Sequence, residues 1–364
     1  MCKEKPSDNK VNSIELLQNN DYNILYIPLP DDKNSENYKK LAEQKRSIIN
    51  KMIEAGHYNF DYAILPDLVI RNKEIRGPIY INNAKIYGNV IFYNTVVNDA
   101  VYLRNAYIEG NVELIEFEIE GILSMKETEI KENLVIQDSL IDGDLELSKA
   151  KIGGSLVIKY TEVNNFAHLD ISCVNSIDIG YSTFRSLISL GIENDSKIIV
   201  GDYCSFYNAL YYVSNLYKNR GYIDTSEKYF YEAMRARREC LKSKGIVSKI
   251  IAYVEKLFVD LTCKYGLSWK RPILLWFIVV TLFALIYWFS AGIVDVNGMI
   301  ISHPPNIEGL AKSIYFSLIT ITTLGYGDFR PANNLYGILA GIEASIGLFI
   351  WALFIAVFSR KYLR

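Results

Sequence analysis

Residues 86–96 read IYGNVIFYNTV and residues 97–107 read VNDAVYLRNAY. Both segments carry large apolar residues (Φ) at positions one, five and seven of an eleven-residue unit, ΦxGxΦxΦxxAx, which recurs from residue 64 to residue 163. Its first position is occupied by Ile64, Ile75, Ile86, Val97, Ile108, Ile119, Ile130, Ile141, Ile152 and Val163. Alternation of apolar and other residues within the unit is typical of a β-strand and not of a helix.

A unit this short cannot bury its own apolar face, so neighbouring units must stack. The repeat predicts a β-solenoid (β-helix) over residues 64–200, with two eleven-residue units in each coil. The glycine and alanine positions suit tight corners. A flat sheet or sandwich is the alternative, which the absence of hairpin-turn signals disfavours. The period slips after Val163, and we expect residues 164–200 to finish the solenoid irregularly.

The repeat resembles the pentapeptide-repeat β-helices, although its unit of eleven residues departs from their unit of five. A solenoid needs covers at its ends. Residues 1–63 provide an N-terminal segment and a helical cap, in which one helix face carries Leu41, Ile48, Ile49, Met52 and Ile53. Residues 201–245 form a helical linker. Residues 246–268 form an amphipathic helix that lies in the membrane interface or packs on another cytoplasmic helix.

The chain of 364 residues has a mean hydropathy of +0.08, and its apolar excess lies after residue 270. Residues 273–293 carry no charge, and residues 335–358 carry only Glu343. Each run is long enough to cross a hydrocarbon layer of about 30 Å. Lys and Arg outside the two spans place both termini in the cytoplasm. We therefore expect a multi-pass protein of the plasma (inner) membrane.

The five cysteines lack CxxC spacing, and we expect them to be free thiols on the reducing side of the membrane.

Between the spans, residues 308–322 form a short helix followed by Thr322-Thr323-Leu324-Gly325-Tyr326-Gly327-Asp328. This segment resembles the potassium-channel selectivity filter, and residues 269–364 resemble two-transmembrane prokaryotic potassium channels. The resemblance implies that carbonyls of Thr323, Leu324, Gly325 and Tyr326 bind K⁺ along the ion path, with Gly327 completing the filter. Leu324 replaces the commoner valine, and Ile319 stands where some relatives carry glutamate.

The resemblance also implies a homotetramer, with Thr322, Asp328 and Glu343 as filter support. Glu343 either supports the filter from behind or adds negative charge near the cavity. Gly347 is a gating hinge or a packing position, and Gly337 and Gly341 form a GxxxG that favours close helix packing. No Arg-rich voltage sensor precedes the pore, and the gating stimulus is not indicated by any motif.

Several functional classes are excluded. A net charge of −2 argues against nucleic-acid binding. The sequence has no cofactor motif, nucleophile–base pair or metal cluster, so we expect no enzyme and no cofactor besides the permeant K⁺. The sequence predicts a K⁺-selective channel that does not sense voltage, with a cytoplasmic solenoid that assembles or gates it and takes an unidentified ligand or protein. The alternatives are a nonselective cation channel and a membrane-anchored solenoid scaffold.

Overall fold

The computed structural model of the chain describes residues 22–186, 188–191, 199–301 and 306–362. Cys2, with its free-thiol prediction, lies outside the described residues. The chain divides into two compact units, Met1–Cys240 and Leu241–Arg364. The first contains the β-solenoid, and the second is α-helical.

The solenoid consists of three parallel sheets. The first contains Ile64–Leu65, Lys85–Ile86, Tyr107–Ile108, Glu129–Ile130, Lys151–Ile152, Cys173–Val174 and Ile199–Val200. The second contains Leu68–Ile75, Val90–Val97, Val112–Ile119, Leu134–Gln137, Leu140–Ile141, Ser155–Lys159, Glu162–Val163, Ser176–Asp178 and Thr183–Phe184. The third contains Ile79–Tyr80, Val101–Tyr102, Leu123–Ser124, Leu145–Glu146, Ala167–His168 and Ile188–Ser189.

The strand register confirms two eleven-residue units per coil. Leu68 pairs with Val90, Val90 with Val112, and Val112 with Leu134, so each step is 22 residues. Beyond Val163 the step shortens, because Ser155 pairs with Ser176. The slip seen in the sequence is therefore one residue missing from a coil. Inside each coil, residues such as Val90 and Val112 are fully buried, and this stacking builds the core that a single unit cannot.

The corners of the coils differ from the sequence expectation. The left-handed backbone conformation falls on position nine of the unit, first on asparagines and then on other residues: Asn72, Asn83, Asn94, Asn105, Glu116, Glu127, Asp138, Lys149 and Tyr160. Asparagine tolerates this conformation better than most residues. The glycines at position three serve close stacking, because a Cβ on Gly143 would lie 2.2 Å from the carbonyl oxygen of Gly121 one coil below.

The N-terminal end of the solenoid is covered by helix α1 (Glu36–Glu54), which follows a 3₁₀ turn at Tyr22–Tyr26. Ile49, Met52 and Ile53 of α1 belong to the solenoid core. Lys45, which no pattern in the sequence marks, is fully buried on the same helix. Its ammonium group donates to the carbonyl oxygens of Leu25 (3.2 Å), Ile27 (2.5 Å) and Ile64 in the first strand.

The C-terminal end is covered by helices α2 (Tyr203–Asn219) and α3 (Ile223–Ser243). Residues of both helices join the solenoid core, and the Tyr217 hydroxyl donates to the carbonyl oxygen of Ile188 at 2.9 Å. These helices therefore cap the solenoid as well as leading out of it. Cys204 and Cys240 form a disulfide between them, with Cα atoms 4.9 Å apart. The free-thiol prediction is wrong for this pair, because helix packing brings together residues far apart in sequence. It is also wrong for Cys173, which is disulfide-bonded, and it is confirmed for the buried Cys263.

The second unit begins with helix α4 (Ile246–Glu255), which continues through a π-helical turn (Lys256–Asp260) into helix α5 (Leu261–Cys263). We call this continuous segment, residues 246–263, the connecting helix. Helices α6 (Lys270–Phe289), α7 (Ile307–Ile321) and α8 (Asn334–Tyr362) follow. Two short antiparallel strands, Ile293–Asp295 and Phe329–Pro331, join the segments on either side of α7.

Candidate functional site

Helices α6 and α8 are long and apolar enough to cross a membrane, with mean hydropathies of 2.3 and 2.2. They run antiparallel. Near the start of α6, the ring of Trp269 lies 6.1 Å from that of Phe358 in α8. At the opposite end, the Tyr336 hydroxyl donates to the carbonyl oxygen of Ser290 at 3.1 Å. The two helices are therefore in contact near both of their ends.

Helix α7 is too short to span and contacts both α6 and α8. Asn306 begins the helix, since its Oδ1 accepts a hydrogen bond from the Gly309 amide at 2.6 Å. The helix ends at Ile321, directly before the segment Thr322–Asp328. The partial negative charge of its C-terminal end therefore falls beside that segment and favours a cation there.

The backbone between Thr322 and Asp328 alternates in handedness. Thr323, Gly325 and Gly327 have φ values of +55°, +50° and +82°, whereas Leu324 and Tyr326 between them do not have positive φ. Such alternation turns successive carbonyls toward one side of the chain. Glycine adopts a positive φ without steric cost, whereas Thr323 is strained by it. The glycine spacing seen in the sequence therefore has a direct backbone role.

The same segment leaves its carbonyls without partners. The amides of Leu324 and Gly325 fold back onto the carbonyl oxygen of Ile319, at 2.9 and 3.3 Å. Across the described part of the chain, however, no hydrogen bond is donated to the carbonyl oxygens of Thr323, Leu324, Gly325 or Tyr326. Residues 323–327 are exposed, so water or a ligand can reach these carbonyls. The segment therefore presents four successive carbonyl oxygens that accept no hydrogen bond from the described residues.

The side chains of this segment are held only in part by their own chain. Thr322 donates its hydroxyl to the carbonyl oxygen of Leu318 at 2.6 Å, and Asp328 Oδ1 accepts from the Phe329 amide at 3.1 Å. Leu324 and Tyr326 are 61% and 69% exposed. The described part of the chain therefore covers little of either side chain.

Glu343 is fully buried where three helices meet. Its Oε2 accepts a hydrogen bond from the Tyr287 hydroxyl of α6 at 2.9 Å, and its Oε1 accepts one from the Ser317 hydroxyl of α7. Ser317 also lies 3.0 Å from the carbonyl oxygen of Val280. The carboxylate lies against α7. Sequence reasoning singled out Glu343 but missed Tyr287 and Ser317, because ordinary helical residues give no sign of such a contact.

Gly347 lies where α8 crosses the end of α7. A Cβ there would come within 2.2 Å of the carbonyl oxygen of Ile321. The backbone of α8 thus approaches the last residue of α7 closely, which is a packing contact. A hinge at Gly347 stays a prediction. Apart from the adjoining backbone of α8 itself, no described atom lies within 4 Å of a Cβ built on Gly337 or Gly341, so the described residues offer the GxxxG pair no packing neighbour.

Among the described residues, no group of three or more His, Cys, Asp or Glu side chains could hold a metal ion. Residues 274–364, the last quarter of the chain, match a protein family described as an ion channel. The C-terminal unit carries an ion-channel domain. No curated protein and no solved structure matches the chain. The matched residues include most of α6, the segment between the two long helices, and all of α8.

Proposed function

We propose that this protein is a tetrameric, potassium-selective channel whose filter is Thr323–Gly327. One observation carries the proposal: the carbonyl oxygens of Thr323, Leu324, Gly325 and Tyr326 accept no hydrogen bond within the described chain. They lie in succession at the negative end of helix α7. A row of carbonyls of this kind, repeated around an axis, replaces the hydration shell of a dehydrated K⁺.

Selectivity for K⁺ is supported by the filter sequence and its backbone. Gly325 and Gly327 both occur at positive φ, so neither position of the GYG motif has been replaced by a residue that resists this conformation. A nonselective cation channel is the competing function, and an altered or shortened filter would favour it. A solenoid scaffold with an inactive pore receives no support from an intact row of carbonyls.

Four copies are needed because one chain supplies one row of carbonyls, and a closed ring of ligands requires several. The exposed side chains of Leu324 and Tyr326 fit this assembly, since a neighbouring copy would cover them. We expect a native mass of four chains in detergent. A conducting assembly of two or three chains would contradict the proposal.

Reversal potentials test the function directly. The full chain, purified and reconstituted in liposomes under opposed K⁺ and Na⁺ gradients, should reverse near the K⁺ equilibrium potential. Gly325→Ala places a side chain at positive φ in the filter and should abolish selective flux. Gly298→Ala is the matched control, because Gly298 also has positive φ (+80°) with an open Cβ position, outside the filter. Wild-type permeability ratios in Gly325→Ala would refute the filter.

The solenoid then acts as a cytoplasmic assembly or gating domain, and its likeness to pentapeptide-repeat β-helices belongs to this proposal. Lys and Arg outside the spans support cytoplasmic termini in a plasma (inner) membrane. A chain that starts at Ile246 should keep the unitary conductance and change the open probability. Loss of tetramers alone, at equal open probability, would leave the solenoid with assembly only.

A further inference from the structure

The connecting helix presents an apolar face that nothing in the described chain covers. We call this face the apolar stripe. Its members are each between 49% and 78% exposed: Ile246, Val247, Ile250, Ile251, Val254, Leu257, Phe258 and Leu261. They recur at spacings that place them on one side of a helix, while Ala252 on the other side is 1% exposed. A continuous patch of large apolar side chains marks a surface with a partner other than water.

Two arginines bond the end of the connecting helix to the ends of α6 and α8. Arg271, in the first turn of α6, donates to the carbonyl oxygen of Asp260 at 2.6 Å and lies 3.6 Å from its carboxylate. Arg360, in the last turn of α8, donates to the carbonyl oxygen of Tyr265 at 3.4 Å. The end of the connecting helix is therefore tied to the ends of both membrane-crossing helices, where headgroups meet hydrocarbon.

The turn after the helix is rigid. Lys264, Tyr265 and Gly266 all have positive φ, at +52°, +55° and +78°. Two of them are not glycine, and such strain persists only where the surroundings impose it. The Tyr265 hydroxyl also donates to Glu255 Oε1 at 3.0 Å, which closes the turn onto the helix. The apolar stripe is thus held in a set orientation and does not lie on a loose tether.

The charges beside the stripe are suited to a membrane surface. Lys249 and Lys256 lie away from the stripe on the same helix, and Lys270 and Arg271 open α6. The acidic groups nearby, Glu255 and Asp260, are engaged by Tyr265 and Arg271. Lysines beside an apolar stripe are typical of helices that lie flat on anionic lipid.

We infer that the connecting helix is a membrane-surface helix. Its apolar stripe lies at the boundary between headgroups and acyl chains, in the leaflet where α6 begins and α8 ends, and its lysines bind anionic headgroups. The inference rests on the proposed function only in that α6 and α8 cross a membrane. Because the adjoining turn is bonded to Arg360, lipid bound here bears directly on the last turn of α8.

Depth-dependent quenching tests the inference on the full chain in vesicles. An environment-sensitive fluorescent amino acid is placed at Val254 in the stripe and, as the matched control, at Lys249 on the other side of α4. Lipids brominated on their acyl chains should quench the probe at Val254 several-fold more than the probe at Lys249. Equal quenching at both positions would overturn the inference. A shielded probe at Val254 that brominated lipid does not quench would also overturn it, and would indicate a second copy as the occupant.

Lipid charge is tested in the same vesicles. Replacing part of the phosphatidylcholine by phosphatidylglycerol should move the probe at Val254 deeper into the bilayer, which increases its quenching by brominated acyl chains. The double variant Lys249→Gln and Lys256→Gln should lose this dependence and keep the quenching in neutral lipid. An unchanged dependence on phosphatidylglycerol would refute the role of the lysines. Potassium flux, measured separately on these vesicles, reports on the proposed function and does not depend on where the probe lies.

Discussion

The solenoid and the ion-channel domain differ in how completely a single chain buries its apolar side chains and pairs its backbone groups. Inside the solenoid, residues such as Phe92 and Leu114 have no exposed surface, each coil pairs with the next, and helices cover both ends. In the channel domain, Tyr326 and Phe349 remain 69% and 55% exposed, and the carbonyls of residues 323–326 accept no hydrogen bond from the described residues. The difference indicates that one chain suffices for the solenoid, whereas the channel domain needs lipid and, on the proposed function, further copies.

The largest effect is expected from breaking the stacking of the coils. Gly143→Ala would place a Cβ 2.2 Å from the backbone oxygen of Gly121, and backbone cannot move aside without shifting a whole coil. We expect the free energy of unfolding of the N-terminal unit to fall by about 3 kcal/mol. Unfolding of the full chain in urea, monitored by its resistance to protease, measures this free energy. Gly77→Ala is the control, since no atom lies within 4 Å of its Cβ position. Equal stability of the two variants would show that the coils are not closely stacked.

The second prediction compares two glycines of α8. Gly347→Ala would collide with the carbonyl oxygen of Ile321, directly before the filter, and should abolish most K⁺ flux by displacing α7. Gly341→Ala meets nothing within its own chain. Flux in liposomes and native mass measure both variants. If Gly341→Ala disrupts the tetramer, another copy contacts α8 at Gly341. That result would support the view that the channel domain, unlike the solenoid, needs further copies. Normal flux in Gly347→Ala would contradict the packing contact.

The third prediction concerns the buried carboxylate. Glu343→Leu deprives the hydroxyl of Tyr287 of its acceptor, and an unsatisfied buried hydroxyl costs about 1–3 kcal/mol. We expect a lower K⁺/Na⁺ permeability ratio because α7 is no longer held by Ser317. Glu343→Gln keeps one acceptor oxygen, so its K⁺/Na⁺ permeability ratio should be close to that of the wild type. Leucine fills a similar volume without an acceptor, so the difference between the two variants reports on the hydrogen bond and not on side-chain size. If the Leu and Gln variants both match the wild type, Glu343 does not position the filter.

The smallest effect is a pH dependence at the N-terminal cap. Burial lowers the pKa of Lys45 to about 8, below its ordinary value of 10.5. The unfolded chain therefore binds more protons than the folded chain between these values, so the stability of the N-terminal unit should rise with pH across that window. Lys45→Met should remove this rise, by about 1–2 kcal/mol after allowance for solvent screening. Stability curves of variant and wild type are compared from pH 7 to 10, and parallel curves would contradict the assignment.

Much of the architecture followed from periodicity and hydropathy. The eleven-residue repeat predicted the solenoid and two units per coil, because stacked coils bury the repeated apolar positions and hairpin-turn signals for a flat sheet or sandwich were absent. It did not predict which position turns the corner. The corner position is occupied by asparagine in the first coils, at Asn72, Asn83, Asn94 and Asn105. Later coils have other residues at the same position, such as Glu116 and Lys149, so the sequence pattern is lost there. Stacked neighbours there hold a conformation that the residue itself does not favour.

Sequence alone determined the two apolar helices and the repeat, since each depends on local spacing or on the length of an apolar run. Tertiary structure alone decided which residues Glu343 contacts, that Cys204 meets Cys240, and that Lys45 is buried against backbone carbonyls. These contacts join residues 18 to 56 positions apart. Packing of whole helices sets such distances, and no local pattern in the chain encodes them.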